Sequence, residues 1–187
     1  MRLAKYISFL SIISFLASCS GEMTREQTLA RIDTYDSSKA VEALGATCLM
    51  TTENTLIKST GCFAEGGEDY ESVKRYVTET TSKEVSILNY FMTASKIASY
   101  NTTSYKYLNV TYRKSGSNGI TIDVKQSDER DNAGLITKMK ESIHDVVNDY
   151  GVLVEETINL YFAYSGFKQG EFEFKSTAKI TFPYAAQ

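Results

Sequence analysis

Hydrophobic positions along this chain change period near residue 103. Beyond it the apolar residues recur at every second position. Leu108, Val110 and Tyr112 alternate with Asn109, Thr111 and Arg113, residues 115–119 (Ser-Gly-Ser-Asn-Gly) turn, and Ile120, Ile122 and Val124 alternate with Thr121, Asp123 and Lys125. Alternation broken by a glycine-rich turn predicts a β-hairpin. A longer pair follows. Val152, Val154, Ile158, Leu160, Phe162 and Tyr164 oppose Glu155, Thr157 and Asn159, and after a turn through Gly166 and Gly170 the residues Phe172, Phe174, Ala178, Ile180 and Phe182 oppose Glu171, Glu173, Lys175, Thr177, Lys179 and Thr181. One face of such a sheet is covered and the other is wet.

Residues 135–147 fit a helical stripe as well as a strand. A repeated unit favours the strand, because Asp131-Asn132-Ala133-Gly134-Leu135 parallels Asn148-Asp149-Tyr150-Gly151-Val152 as a turn followed by an apolar run. Upstream, residues 55–63 and 70–80 predict two further strands around Glu65-Gly66-Gly67-Glu68, and Ser82 is expected to cap a helix carrying Val85, Leu88, Phe91, Met92 and Ser95 on one side. Near the start, Thr24 with Glu26 and Gln27 has the form of a helix N-cap with a capping-box glutamine. The stripe Leu29, Ile32, Val41, Leu44 then runs to Gly45, interrupted at residues 35–38, so one bent helix or two short ones satisfy it. The sum is an α+β domain over residues 24–187: a curved antiparallel meander of about seven strands, with an N-terminal helix and one inserted helix on one face.

Residues 1–18 have a different character. Arg2 and Lys5 precede an apolar stretch at 6–16 that is too short to span a bilayer, and small residues follow. Leu16-Ala17-Ser18-Cys19 resembles the lipobox of bacterial lipoproteins at each position. The resemblance implies that residues 1–18 are a signal peptide, that Cys19 is the new N-terminus and carries a thioether-linked diacylglycerol, and that 19–23 form a tether. Two acyl chains, at ~0.8 kcal/mol per buried CH₂, hold a soluble domain on a membrane where one would not. The protein is therefore expected outside the cytoplasm, on the cell membrane or an outer membrane.

Loss of Arg2 and Lys5 with the signal makes a net charge of −3 more negative. An acidic domain has no broad basic field for a phosphate backbone, which argues against nucleic acid. Cys48 and Cys62 remain as an even pair in an exported segment and are expected to form a disulfide, worth about 3 kcal/mol in the chain-entropy model; the other reading is two small buried hydrophobes.

Catalytic constellations do not assemble. His144 is the one histidine; it neighbours Asp145, but adjacent side chains on a strand point apart, and a solvated histidine on the polar side is expected. Glu155-Glu156 and Glu171 with Glu173 are carboxylate pairs, yet Lys175 and Lys179 beside them make a normal wet sheet face. No metal, cofactor or enzymatic activity is expected.

The order of helix, meander and repeated "Asp/Asn-x-Gly-apolar" strand starts resembles the LolA/LppX-like superfamily, in which a curved sheet forms a half-barrel around an apolar cavity. Between Tyr150 and Tyr184 stand nine Tyr or Phe residues. They serve either as core against the helices or, as the resemblance implies, as the lining of a pocket for a lipid, sterol or other apolar ligand, formed by Leu160, Phe162, Tyr164, Phe172, Phe174, Ile180 and Phe182. The alternative is a structural or adhesive envelope lipoprotein. Tyr70, Tyr76, Tyr105 and Tyr107 lie off the apolar face and would contact proteins or glycans.

Overall fold

A computed structural model of the chain describes residues 21–62, 73–102, 106–132, 135–164 and 168–183. The signal segment and Cys19 lie outside the described residues. Strands β1 (Glu22–Met23), β2 (Thr47–Cys62), β3 (Val73–Ser86), β4 (Tyr107–Ser115), β5 (Gly119–Asn132), β6 (Leu135–Val147), β7 (Leu153–Tyr164) and β8 (Lys168–Thr181) form one open antiparallel sheet. Their spatial order is β1-β4-β5-β6-β7-β8-β2-β3. Eight strands are thus described where about seven were expected, the addition being the two-residue β1 on the edge of β4. The β4–β8 meander follows the alternating pattern, and residues 135–147 are a strand. The β2–β3 hairpin does not precede β4 in space. It joins the far side of β8, pairing Leu49 with Thr181 at one end and Cys62 with Lys168 at the other.

Helices α1 (Arg25–Ile32) and α2 (Ser37–Leu44) settle the interrupted N-terminal stripe as two short helices. The capping box at Thr24 is formed: the Thr24 backbone N–H donates to Gln27 Oε1 at 2.9 Å and the Gln27 N–H donates to Thr24 Oγ1 at 3.2 Å. The break comes from Asp36, whose carboxylate accepts from the N–H groups of Ser38 and Lys39 and so starts a second helix instead of continuing the first. Gly45, at φ 90°, ends it.

The helix expected from Ser82 is corrected. Residues 82–86 extend β3, with Ser82 opposite Thr51 and Val85 opposite Cys48. The β-branched run before Ser82 and the long ladder to β2 outweigh the helical spacing. The helix begins later, as α3 (Ala94–Ser99), capped by Thr93 accepting from the Lys96 N–H at 3.3 Å.

The Cys48–Cys62 bridge is also corrected. Both residues belong to β2, one near each end. At ~3.3 Å per residue, the intervening strand separates their Cα atoms by roughly 45 Å, whereas a disulfide spans less than about 7 Å. Cys48 is a free, buried thiol donating to the Val85 carbonyl at 3.7 Å, and burial pushes its pKa up. It is the small buried hydrophobe of the alternative reading.

Alternation puts the core on one face of the sheet. Tyr112, Ile120, Ile122, Val124 and Val147 pack against Met23 and Ile32 from the N-terminal segment and Met92, Ile97 and Tyr100 around α3. A smaller cluster, Ala40, Ile87 and Val152, holds α2 and gathers Phe182. At ~1.5–3 kcal/mol per buried large aliphatic side chain, these clusters are the main source of stability. Among the described residues they lie toward one end of the long strands.

Candidate functional site

The opposite face of the sheet is polar, and strand register arranges its side chains in rows. One row crosses five strands as Tyr107, Ser127, Lys140, Tyr161 and Glu173. The next runs Asn109, Lys125, Ser142, Asn159 and Lys175, and reaches Thr55 on β2. Both rows line a single open groove of about 990 Å³, together with Glu53 and Lys106. Leu108, Gln126, Glu141, Leu160 and Phe174 also border it; standing between the row residues, they face the other way and contribute backbone to its floor. Residues from β4 and from β2, at nearly opposite margins of the sheet, line this one space.

The groove's electrostatics differ from those of the surrounding face. Beyond the groove, cations meet acids. Arg113 Nη1 lies 2.5 Å from Asp123 Oδ2, His144 Nδ1 lies 2.7 Å from Asp123 Oδ1, and Lys179 Nζ lies 3.7 Å from Glu155. Inside it, Lys140 Nζ stands 5.8 Å from the centre of the Tyr161 ring, and Lys106 Nζ stands 5.3 Å from that of Tyr107. Lys125 and Lys175 are exposed and form no ion pair among the described residues. In this row Asn159 Nδ2 donates to Ser142 Oγ at 3.3 Å, Asn109 Oδ1 accepts from Thr111 Oγ1 at 3.2 Å, and the Thr55 hydroxyl lies 3.2 Å from that of Thr78.

Of the residues expected to line an apolar cavity, Leu160 and Phe174 border the groove. Leu160 pairs with Phe174 and both are half-buried, outside the two core clusters. Ile180 is buried at the other end of the strand, roughly 20 Å away along it, and Phe182 packs beside Ala40 and Val152. Phe162 pairs with Phe172 and Tyr164 with Gly170 in the backbone register; the side chains of Phe162, Tyr164 and Phe172 lie outside the described residues, as does that of Tyr76. Tyr70 and Tyr105 fall outside them altogether. Tyr107 is on the polar face, more than half exposed.

His144 stands on the polar side, as expected, and Asp145 points the opposite way, fully buried. Sequence reasoning missed what Asp145 does. The Tyr100 hydroxyl donates to Asp145 Oδ2, while Oδ1 has no hydrogen-bond partner among the described residues. Burial, countered by the Tyr100 hydrogen bond and reinforced by the nearby Glu156, pushes the Asp145 carboxyl up to about 6. Burial and the Asp145 charge raise Tyr100 as well. Lys96, 3.9 Å from Glu156, lines with it a smaller cleft of about 440 Å³ against α3. The available signal was an acid at an inward position between Ile143 and Val147. The polar rows had no such signal, since they exist only once six strands are in register.

No known family model, curated protein or solved structure matches this chain. Among the described residues no helix is long and apolar enough to cross a membrane, and no group of His, Cys, Asp and Glu could hold a metal ion.

Proposed function

We propose that this chain is a non-enzymatic envelope lipoprotein, anchored through Cys19, that binds a glycan in the polar groove. The reading rests on one observation: the two polar rows line a large open groove in which tyrosines stand among amides, hydroxyls and charges. Sugars are recognised by such mixtures, because a ring face stacks on an aromatic side chain while its hydroxyls exchange water for planar amide and charged partners. The groove is open and spans several strands, which suits a chain more than a compact metabolite. The Leu16–Cys19 motif supports the anchor.

A half-barrel carrier of an apolar ligand is the second reading. It is favoured by Leu160 and Phe174, which are apolar, half-buried and outside both core clusters.

The test uses the mature lipoprotein in detergent, passed over an oligosaccharide array and titrated with a fluorescent fatty acid. Glycan binding that is lost in Tyr107→Ala with the fold intact supports the first reading. Fatty-acid binding without glycan binding replaces it with the second. On fractionation of cells, Cys19→Ala should move from the detergent to the aqueous phase; a wild-type protein already fully aqueous would remove the anchor.

A further inference from the structure

We infer that the groove selects an acidic glycan, one carrying carboxylates at intervals, over a neutral one; this rests on the glycan reading above and deepens it. The groove contains four lysines, Lys106, Lys125, Lys140 and Lys175, against two inward carboxylates, Glu53 and Glu173. The third bordering acid, Glu141, is turned to the other face, where its carboxylate accepts from Gln126 Nε2. A net positive strip therefore lies within an acidic protein, whose formal charge is −3 before any processing.

Placement matters more than the count. Lys125 and Lys175 occupy one row, on β5 and β8, with Ser142 and Asn159 between them. Three strand spacings separate the two ammonium-bearing residues, roughly 14 Å along the sheet, the span of a short oligosaccharide. Elsewhere on this face the structure pairs its cations with acids, as Arg113 with Asp123 and Lys179 with Glu155. In the row neither Lys125 nor Lys175 forms an ion pair among the described residues. Hydroxyl and amide groups between two such cations offer a sugar both of its needs, donors and acceptors for hydroxyls and a positive charge for a carboxylate at each end. Glu53 and Glu173 set an upper limit on the ligand's charge. A polyphosphate or a heavily sulfated chain would press several charges against these carboxylates, whereas one carboxylate every few sugars avoids them.

The experiment is a calorimetric titration of the detergent-solubilised mature lipoprotein with three oligosaccharides of equal length: an oligogalacturonate, the same oligomer fully methyl-esterified, and a neutral glucan. The free acid should bind about ten-fold more tightly than its ester at low salt, and the preference should shrink as salt screens it. Lys125→Gln with Lys175→Gln should remove the preference for the acid over its ester and flatten the salt dependence of acid binding, with an unchanged denaturant midpoint as the control that the fold is intact. Equal affinity for acid and ester would overturn the inference and leave the glycan reading standing. Failure of the wild type to bind any of the three, with fatty acid bound instead, would overturn both.

Discussion

The two ends of the sheet are built by opposite means. At the helix end, the β4–β5 and β6–β7 turns are locked together through a few groups. Asp149 Oδ1 accepts from the backbone N–H groups of Asn118 and Gly119, both at 2.7 Å, and these bonds hold its carboxyl below the usual range. The Tyr35 hydroxyl donates to the Asn118 carbonyl at 2.7 Å, and Arg31 reaches the Gly119 carbonyl at 3.3 Å. Burial pushes Tyr35 up to about 12. At the groove end the described side chains bond mostly to strand neighbours, as Asn159 to Ser142 and Gln126 to Glu141, and the apolar pair Leu160–Phe174 is only half covered. The difference separates two tasks: stability is concentrated where helices and turns meet, and the wet groove is free to carry chemistry that adds nothing to folding.

The sharpest way to break that comparison is at Gly151. Its φ is +82°, and a Cβ there would stand 2.5 Å from Tyr35 Cγ and 2.9 Å from Tyr35 Cβ, atoms too near the backbone to swing aside. Gly151→Ala should cost about 2–4 kcal/mol from left-handed backbone strain plus displacement of the ring, read as a lower denaturant midpoint. A loss under about 0.5 kcal/mol would mean that the turn lock is not a principal support.

Asp145 gives the next largest effect, and its sign depends on pH. With a folded-state pKa of about 6, above its ordinary 3.8, the group favours the folded state when protonated. That contribution is complete below about pH 4 and is lost as pH rises toward 6. Glu156 and Tyr112 face the Asp145–Tyr100 pair alongside Lys96, which partly offsets the acids. Asp145→Asn keeps an acceptor for Tyr100 and removes the buried charge, so its melting temperature should exceed wild type at pH 8 and converge with it near pH 4. A variant less stable than wild type at pH 8 would show that the ionised carboxylate is a support.

The same contrast explains what the sequence could and could not disclose. Period-two alternation located β4, β5, β7 and β8, the repeated turn-and-apolar unit favoured a strand for β6, and local chemistry predicted the Thr24 capping box, because these signals lie within a few residues of each other. The β2–β3 ladder was harder to read. Its pairing turns Val85 and Ser82 into strand residues and stretches Cys48 and Cys62 apart, and both corrections follow from contacts with a distant partner strand. The sense of sheet curvature was not legible at all. Alternation states that Phe174 and Glu173 face opposite ways; it does not say which side is concave. The aromatic run pointed to Leu160 and Phe174 as pocket lining, and both border the groove beside the polar rows.

The smallest effect is expected at Phe174, and it separates the two functional readings at the groove end. Ile122 is fully buried among helix-end residues, and Ile122→Ala should cost about 2–5 kcal/mol. Phe174 is half-buried and belongs to neither cluster. Truncating it removes fewer contacts and opens a space already bordering solvent, so Phe174→Ala should cost only about 1–2 kcal/mol. Because its ring faces away from the polar rows, the substitution should leave glycan affinity within about two-fold of wild type. Paired denaturation curves and a glycan titration on the same variant read both quantities. A cost equal to that of Ile122→Ala would extend the packed core to the groove end. A small cost together with altered fatty-acid binding would instead place an apolar ligand on the outer face, and the functional site would then not be the groove that the polar rows form.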